Sequence, residues 1–409
     1  MMVTLRFGGV SHSPELRIAA EGDHNELKEK VMRHRLLIAV LAPLAFALMA
    51  ASAAAHSFGV VGHVYVDENT AGTNTIAAFD RHADGTLAPE AGSPFDTGGA
   101  GTGAPGIGSQ GALQSADGGR YLLAVDPDSN TISVLRVHHD GSLRLVGVTG
   151  SGGDQPVSLA VDDDLVYVAN AGSPDSNYTG FTLNRGGRLE PIPGSTVKLP
   201  SGSDPGDVLF NSDGRNLVGT RVGTSLIDSF RVRDDGTLKA APGSPFTAQG
   251  KGPFGSEFRP TDPNQLFVSN AHNGGTDGTV SAFSVGYDGA LASIGESPFP
   301  DNQAAPCWVE ISHDGNFLFT VNTGSGTISS YYIKDDGTLT LLGSTGFTGG
   351  KGGGAQDARL SPDGRTLWVV DTKAQAISGF SVDGGSLTEL PSSPTALPAD
   401  SAAFGIVVT

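Results

Sequence analysis

Short apolar runs recur along the chain, each broken by Gly, Asp, Asn or Pro. The pattern is fullest between Pro306 and Phe347. Cys307–Ser312 reads as a strand, His313-Asp314-Gly315-Asn316 as a turn, and Phe317–Val321 as a second strand ending at Asn322. Thr327–Ile333 is a third strand, and Asp335-Asp336-Gly337-Thr338 turns into a fourth, Leu339–Gly343. Alternating runs of this length predict half-buried strands, and no helical spacing competes with them. Asp-Gly between such runs is a hairpin signal, with both central residues expected at positive φ.

The turn repeats. It reads Asp84-Gly85-Thr86-Leu87, Asp140-Gly141-Ser142-Leu143, Gly186-Gly187-Arg188-Leu189 and Asp235-Gly236-Thr237-Leu238. It continues as Asp288-Gly289-Ala290-Leu291, Asp336-Gly337-Thr338-Leu339 and Gly384-Gly385-Ser386-Leu387. The leucines lie 56, 46, 49, 53, 48 and 48 residues apart. A period near 50 with four antiparallel strands per unit predicts an all-β, seven-bladed propeller. The first unit lacks its first strand and the C-terminus carries an orphan strand, Ala403–Val408. That strand is expected to close blade 1 and leave no open edge in the ring. The short Asp-Gly turns fall on one face. The longer links, such as Gly98–Gly108 and Gly349–Gly354, fall on the other, which is the face expected to carry function.

Composition narrows the class. With 59 Gly and 24 Pro, about a fifth of the chain resists helix. The single cysteine excludes an internal disulfide, and Cys307 beside Trp308 reads as a buried thiol. A net charge of -18 argues against a nucleic-acid partner. Arg33-His34-Arg35, an apolar stretch from Leu36 to Met49 and the small residues Ala51–Ala55 predict a signal peptide over 32–55. The competing reading is an uncleaved anchor, against which stand the short apolar stretch and Pro43. Residues 1–31 precede a start-like Met32 and read as a non-native or disordered extension. The propeller is expected over 56–409, exported to the periplasm, cell surface or medium, monomeric, and with no membrane span once the signal is removed.

Residues ending the second strand of each blade are Asp67, Asp126, Asn170, Arg221, Asn270, Asn322 and Asp371. Asp and Asn there are expected to cap their own backbone as Asx turns. A guanidinium cannot accept that bond, so Arg221 is either an ion pair across blades or an anion anchor. First strands bring Asp207, Glu257, Trp308, Glu310, Asp357 and Arg359 to the channel. Glu310 and Arg359 are expected to bridge neighbouring blades. Trp308 is a stacking platform or an interface filler. Most histidines of the exported part fall in the Asp-Gly turns, and His272 alone is placed on the loop face. Asp126-Pro127-Asp128-Ser129-Asn130 resembles the start of a calcium loop but lacks its Gly and Glu, so no metal and no cofactor are expected.

Ser361-Pro362-Asp363-Gly364-Arg365-Thr366-Leu367-Trp368-Val369-Val370-Asp371, with Ile377–Val382 and the following Gly-x-Leu, resembles the repeat of lactonase-type seven-bladed propellers. That family includes 6-phosphogluconolactonase-like proteins and carboxymuconate lactonising enzymes. Leu266–Asn270 and Phe317–Asn322 are further copies, and the resemblance spans 58–409. It implies hydrolysis or formation of a lactone of a small anionic, sugar- or muconate-like substrate. Two departures stand out. The family's Gly-Pro-Arg-His stands here as Gly252-Pro253-Phe254-Gly255, and its last-blade Asn-Arg-Gly as Asp371-Thr372-Lys373. Arg221, His272, Glu257 and Glu310 are the catalytic candidates, with Asp207, Trp308, Asp357, Lys351 and Lys373 as ligand-binding candidates. The other reading is a non-catalytic exported propeller that binds a ligand or protein at the loop face.

Overall fold

The computed structural model describes residues 59–104 and 108–409; the expected extension over 1–31 and signal over 32–55 lie outside them. Residues 59–409 form one compact unit. They build seven antiparallel sheets and no helix among the described residues. No helix there is long and apolar enough to cross a membrane.

Each sheet is one blade of a seven-bladed β-propeller, and blade 6 shows the plan. Pro306–Ile311 lines the channel, Phe317–Asn322 and Thr327–Ile333 follow outward, and Leu339–Gly346 is the rim. Inner strands succeed one another around the axis: Leu113–Ala116, Pro156–Asp162, Pro205–Phe210, Pro253–Arg259, Pro306–Ile311, Ala355–Leu360 and Ile406–Val408. The last of these is the orphan C-terminal strand. It pairs antiparallel with Val60–Asp67 and completes blade 1. Alternation along the strands sends one row of apolar side chains to each neighbouring blade, so the core consists of the packed faces between blades.

The Asp-Gly turns differ from the expected geometry. Gly85 and Gly236 sit at φ +81° and +77°, while Asp84 and Asp235 stay at negative φ. The amide of Gly85 bonds the carbonyl of His82, and that of His82 bonds the carbonyl of Thr86. This is a type I turn closed by a left-handed glycine, which needs positive φ at one residue only. The aspartate has a separate task. Asp84 Oδ1 accepts the Thr86 amide at 3.0 Å and its hydroxyl at 2.7 Å.

Deleting residues 402–409 removes the inner strand of blade 1 and with it the buried Phe404, Ile406 and Val407. Burial of each such side chain is worth about 1.5–3 kcal/mol, a total comparable to the ~5–15 kcal/mol stability of a whole domain. The truncated chain is expected to lose its cooperative thermal transition and its near-ultraviolet circular dichroism. An unchanged Tm would show that the closing strand is dispensable.

Candidate functional site

An inner strand has a partner on one side only, so its other edge carries bare amides into the channel. Acceptors from the neighbouring blade, or from a link, meet them. Ser158 Oγ takes the Val208 amide at 3.1 Å, and Asp207 Oδ2 the Ser256 amide at 2.9 Å. Glu310 Oε1 takes the Leu360 amide at 2.9 Å, and Asp357 accepts from the Ile406 amide. Asp207 also accepts the Ser256 hydroxyl at 2.6 Å. Filling this role with carboxylates concentrates acid. Asp207, Glu257, Glu310 and Asp357 share the channel with one guanidinium, Arg359, whose Nη1 lies 2.9 Å from Glu310 Oε2 across blades 6 and 7.

Crowding and burial move the protons. Burial, then the charge of Glu310, pushes the Glu257 carboxyl up to about 8. Burial pushes Asp207 up to about 7 and Asp357 up to about 6. Burial works against the charge of Arg359, but Asp357, Glu310 and Glu257 outweigh it and keep the guanidinium protonated. A carboxyl near 8 beside a fixed cation is suited to general acid–base work.

The loop-face end of the channel is filled. Ser109 and Gln110, from the link between blades 1 and 2, lie across it. Ser109 Oγ donates to Val157 O at 2.7 Å, and the Gln110 amide to Gly206 O at 3.0 Å. The Gln110 side chain donates to Ser256 O at 2.8 Å and accepts the Val309 amide at 2.9 Å. Four inner strands are thereby tied to one dipeptide. Trp308 is an interface filler: it is buried, donates its indole N–H to Ser109 O at 2.8 Å, and meets Phe254 edge-on at 5.2 Å. Exposure confirms the blockage. Asp207, Trp308 and Asp357 are buried, whereas Leu209, Glu257, Glu310 and Arg359, about two residues nearer the turn face, are partly buried. A cleft of about 780 Å³ also lies on the turn face, between blades 2 and 3, beside Ser115, Val161, Asp163 and Asp164.

Arg221 forms an ion pair inside its own blade. Its Nε lies 2.6 Å from Asp228 Oδ2 and its Nη2 2.5 Å from Oδ1, and the Tyr178 hydroxyl of blade 3 donates to the same carboxylate at 3.2 Å. All three side chains are buried. Asn322 and Asp126 bond Ser329 and Ser133 at the same seven-residue spacing, so the pair is a charged version of a repeated contact. Backbone capping holds for Asp67 and Asp371, but Asp126, Asn270 and Asn322 bond hydroxyls of the third strand. In blade 1 the register sets Asp67 opposite Ile76, so Glu68, bonded to Thr75, holds the equivalent place.

The remaining candidates lie apart. His272 is exposed on the loop face, its ring over Gly252. Among the described residues no hydrogen bond or ion pair joins it to Arg221, Glu257 or Glu310. Lys351 is exposed at a shallow cleft of about 400 Å³ with Phe347 and Glu389, and Lys373 Nζ donates to Gly352 O at 2.6 Å. Asp126 spends its oxygens on Asn74, Thr97, Thr131 and Ser133 and offers none to a calcium ion. Cys307 is a buried free thiol, its pKa pushed up to about 12 by burial.

The family described as lactonase, 7-bladed beta-propeller, matches residues 72–202 and 258–401. The chain belongs to this lactonase family. A 6-phosphogluconolactonase of Serratia proteamaculans is 25% identical over 292 residues, 68% of this chain and 82% of that protein. One of Cronobacter sakazakii is 34% identical over 102 residues, 25% of this chain and 28% of that protein. A periplasmic gluconolactonase of Pseudomonas aeruginosa has the same fold, with a TM-score of 0.68 at 17% identity, covering 85% of this chain and 99% of that one. At the place of the family's Arg-His pair, this lactonase-family chain has Phe254 packed on Trp308 and Gly255 pressed against Gln110. A side chain at Gly255, the place of the His, would meet Gln110 Oε1 at 2.2 Å and Cys307 O at 2.6 Å. Ser109, Gln110 and Asp228 were missed by sequence reasoning. Only the length of the Gly98–Gly108 link, and the seven-residue spacing from Arg221 to Asp228, pointed to them.

Arg221→Ala leaves the Asp228 carboxylate buried and unpaired, and is expected to cost about 3–5 kcal/mol in urea unfolding. Replacing both partners, Arg221→Asn with Asp228→Ser, copies the neutral contact of blade 6 and should recover most of that loss. Equal destabilisation by single and double variants would deny the coupling. The channel carboxyls act in the opposite sense to surface ones. Folded Glu257 keeps its proton from its ordinary 4.5 to about 8, where the unfolded chain has released it. Stability therefore falls as pH rises through that window. Glu257→Gln should flatten the decline and raise Tm at pH 8.5 by roughly 2–4 °C; a Tm below wild type there would refute the assignment.

Proposed function

We propose that this protein is an exported lactone hydrolase acting on an uncharged lactone at the channel carboxyl cluster, entered from the turn face. One observation carries the reading: Glu257, a partly buried carboxyl held at about 8, beside Glu310 and Arg359. In its ionised form Glu257 takes a proton from water as the water oxygen adds to the lactone carbonyl. The ring carbon–oxygen bond then breaks, and the proton passes from Glu257 to the departing ring oxygen. Arg359 faces the negative charge that develops on the carbonyl oxygen. Four carboxyls against one guanidinium repel a phosphate or carboxylate, which turns the expectation of an anionic substrate toward a neutral one. Gluconolactone, in the name of the Pseudomonas aeruginosa neighbour, is such a lactone. Export rests on the leader-like segment over 32–55.

A non-catalytic propeller is the second reading, favoured by Phe254 where the family has Arg. Acid release from neutral and phosphorylated γ- and δ-lactones separates the two. The expected outcome is turnover of neutral lactones that rises with pH to a midpoint near 8 and falls about 10²–10⁴-fold in Glu257→Gln. The Arg221→Asn, Asp228→Ser pair is expected to keep it. No turnover above the spontaneous rate would leave the binding reading. Turnover lost with the Arg221 pair but kept in Glu257→Gln would return the chemistry to the loop face.

A further inference from the structure

Away from the channel, blade 1 carries a second group of ligating side chains. His63 on Val60–Asp67, Asp80 on Thr75–His82 and Glu90, just beyond Leu87–Pro89, offer atoms that all lie within 4.8 Å of one another. The register brings them together. His63 is the cross-strand partner of Asp80, and the Glu90 amide bonds Ala78 O, so Glu90 stands beside Asp80 on the same face. That face looks toward blade 2. The His63 ring lies over Gly141, where a Cβ would come within 2.3 Å of the imidazole.

Three observations set this group apart from an ordinary His–Asp pair. First, His63 Nδ1 is sealed from solvent and 3.2 Å from Asp80 Oδ1, yet makes no hydrogen bond of acceptable angle. Ligands of a tetrahedral zinc ion stand roughly 3.3 Å apart without bonding each other. Second, acid crowds the imidazole. Oxygens of Asp80 and Glu90 lie within 4.8 Å of it and of each other, and Asp140 adds a third negative charge nearby. The adjacent cation, Arg81, spends its Nη2 on Val61 O and Thr409 O. Third, Glu90 breaks the repeat. The residues making the same backbone bond in blades 3, 4, 5 and 7 are Ile192, Ala241, Ile294 and Leu390, all apolar. An acid has entered an otherwise hydrophobic position, and it did so opposite a histidine.

We infer that His63, Asp80 and Glu90 form a binding site for a divalent transition-metal ion such as Zn²⁺, clamping the three strands of blade 1 that the N-terminal part of the propeller supplies. One imidazole and two carboxylates suit zinc or manganese, and the nitrogen donor disfavours calcium and magnesium. The fourth position is left to water. The role is structural: the ion ties together the strands onto which the C-terminal strand docks.

The test uses the whole mature chain, free of any histidine tag and dialysed against EDTA. Calorimetric titration with Zn²⁺ is expected to show a single ion per chain, and Tm to rise with Zn²⁺ concentration. Glu90→Gln and Asp80→Asn should each weaken binding by at least about tenfold while matching the wild-type Tm in EDTA, which shows that they fold. Anomalous diffraction at the zinc edge should give a peak between blades 1 and 2. No binding below millimolar Zn²⁺, or binding unchanged in both variants, would overturn the site. Stronger binding of Ca²⁺ than of Zn²⁺ would overturn the assignment of ion class.

Discussion

The bare inner edge of each channel strand is the constraint on which the centre of this molecule depends. A ring of sheets buries their faces against one another but leaves seven strand edges with no further strand to pair. From blade 3 round to blade 1, every inner strand finds one acceptor for an inward amide: Gly111 O for Leu159, Ser158 for Val208, Asp207 for Ser256, Gln110 for Val309, Glu310 for Leu360 and Asp357 for Ile406. Acceptors differ in chemistry because the demand is only for an oxygen at the right height. A serine, an amide, a carboxylate or a backbone carbonyl all serve. The composition of the channel follows from this need as much as from any ligand.

Carboxylates meeting that need bring a cost, since each is desolvated and close to others of its charge. Arg359 offsets part of it and protonation the rest. Asp207 and Asp357, which stitch blades together, therefore hold their protons to a higher pH than ordinary carboxyls do. Under the proposed chemistry Glu310 serves scaffold and site at once, and a substitution chosen to probe one role disturbs the other. Separating them requires variants that keep an acceptor, such as Gln for Glu.

Much of the architecture was legible because it repeats. The Gly-x-Leu period, the missing first strand and the orphan C-terminal strand each followed from comparing the chain with itself. The Asp-Gly turn was half legible: its glycine needs positive φ, but the aspartate works through a side-chain bond that the dipeptide does not reveal. Arg221 announced itself by breaking a row of Asp and Asn, and its partner was readable at the spacing from Asn322 to Ser329. Gln110 was not readable, because it meets Ser256, 146 residues away, through closure of the ring. Nor was the neighbourhood of His63, which depends on a one-residue register difference in blade 1.

The stitched blade has a mechanical consequence. Val60 and Thr409 lie at the same end of two antiparallel neighbours, and Thr409 exchanges backbone bonds with His63 at that end. A pull applied to the two ends of the propeller loads these bonds one after another, as in opening a zipper, instead of shearing them all together. The seam that closes the ring against heat is thus its point of least resistance to tension, and a partner or a membrane tether drawing on both ends would open blade 1 first.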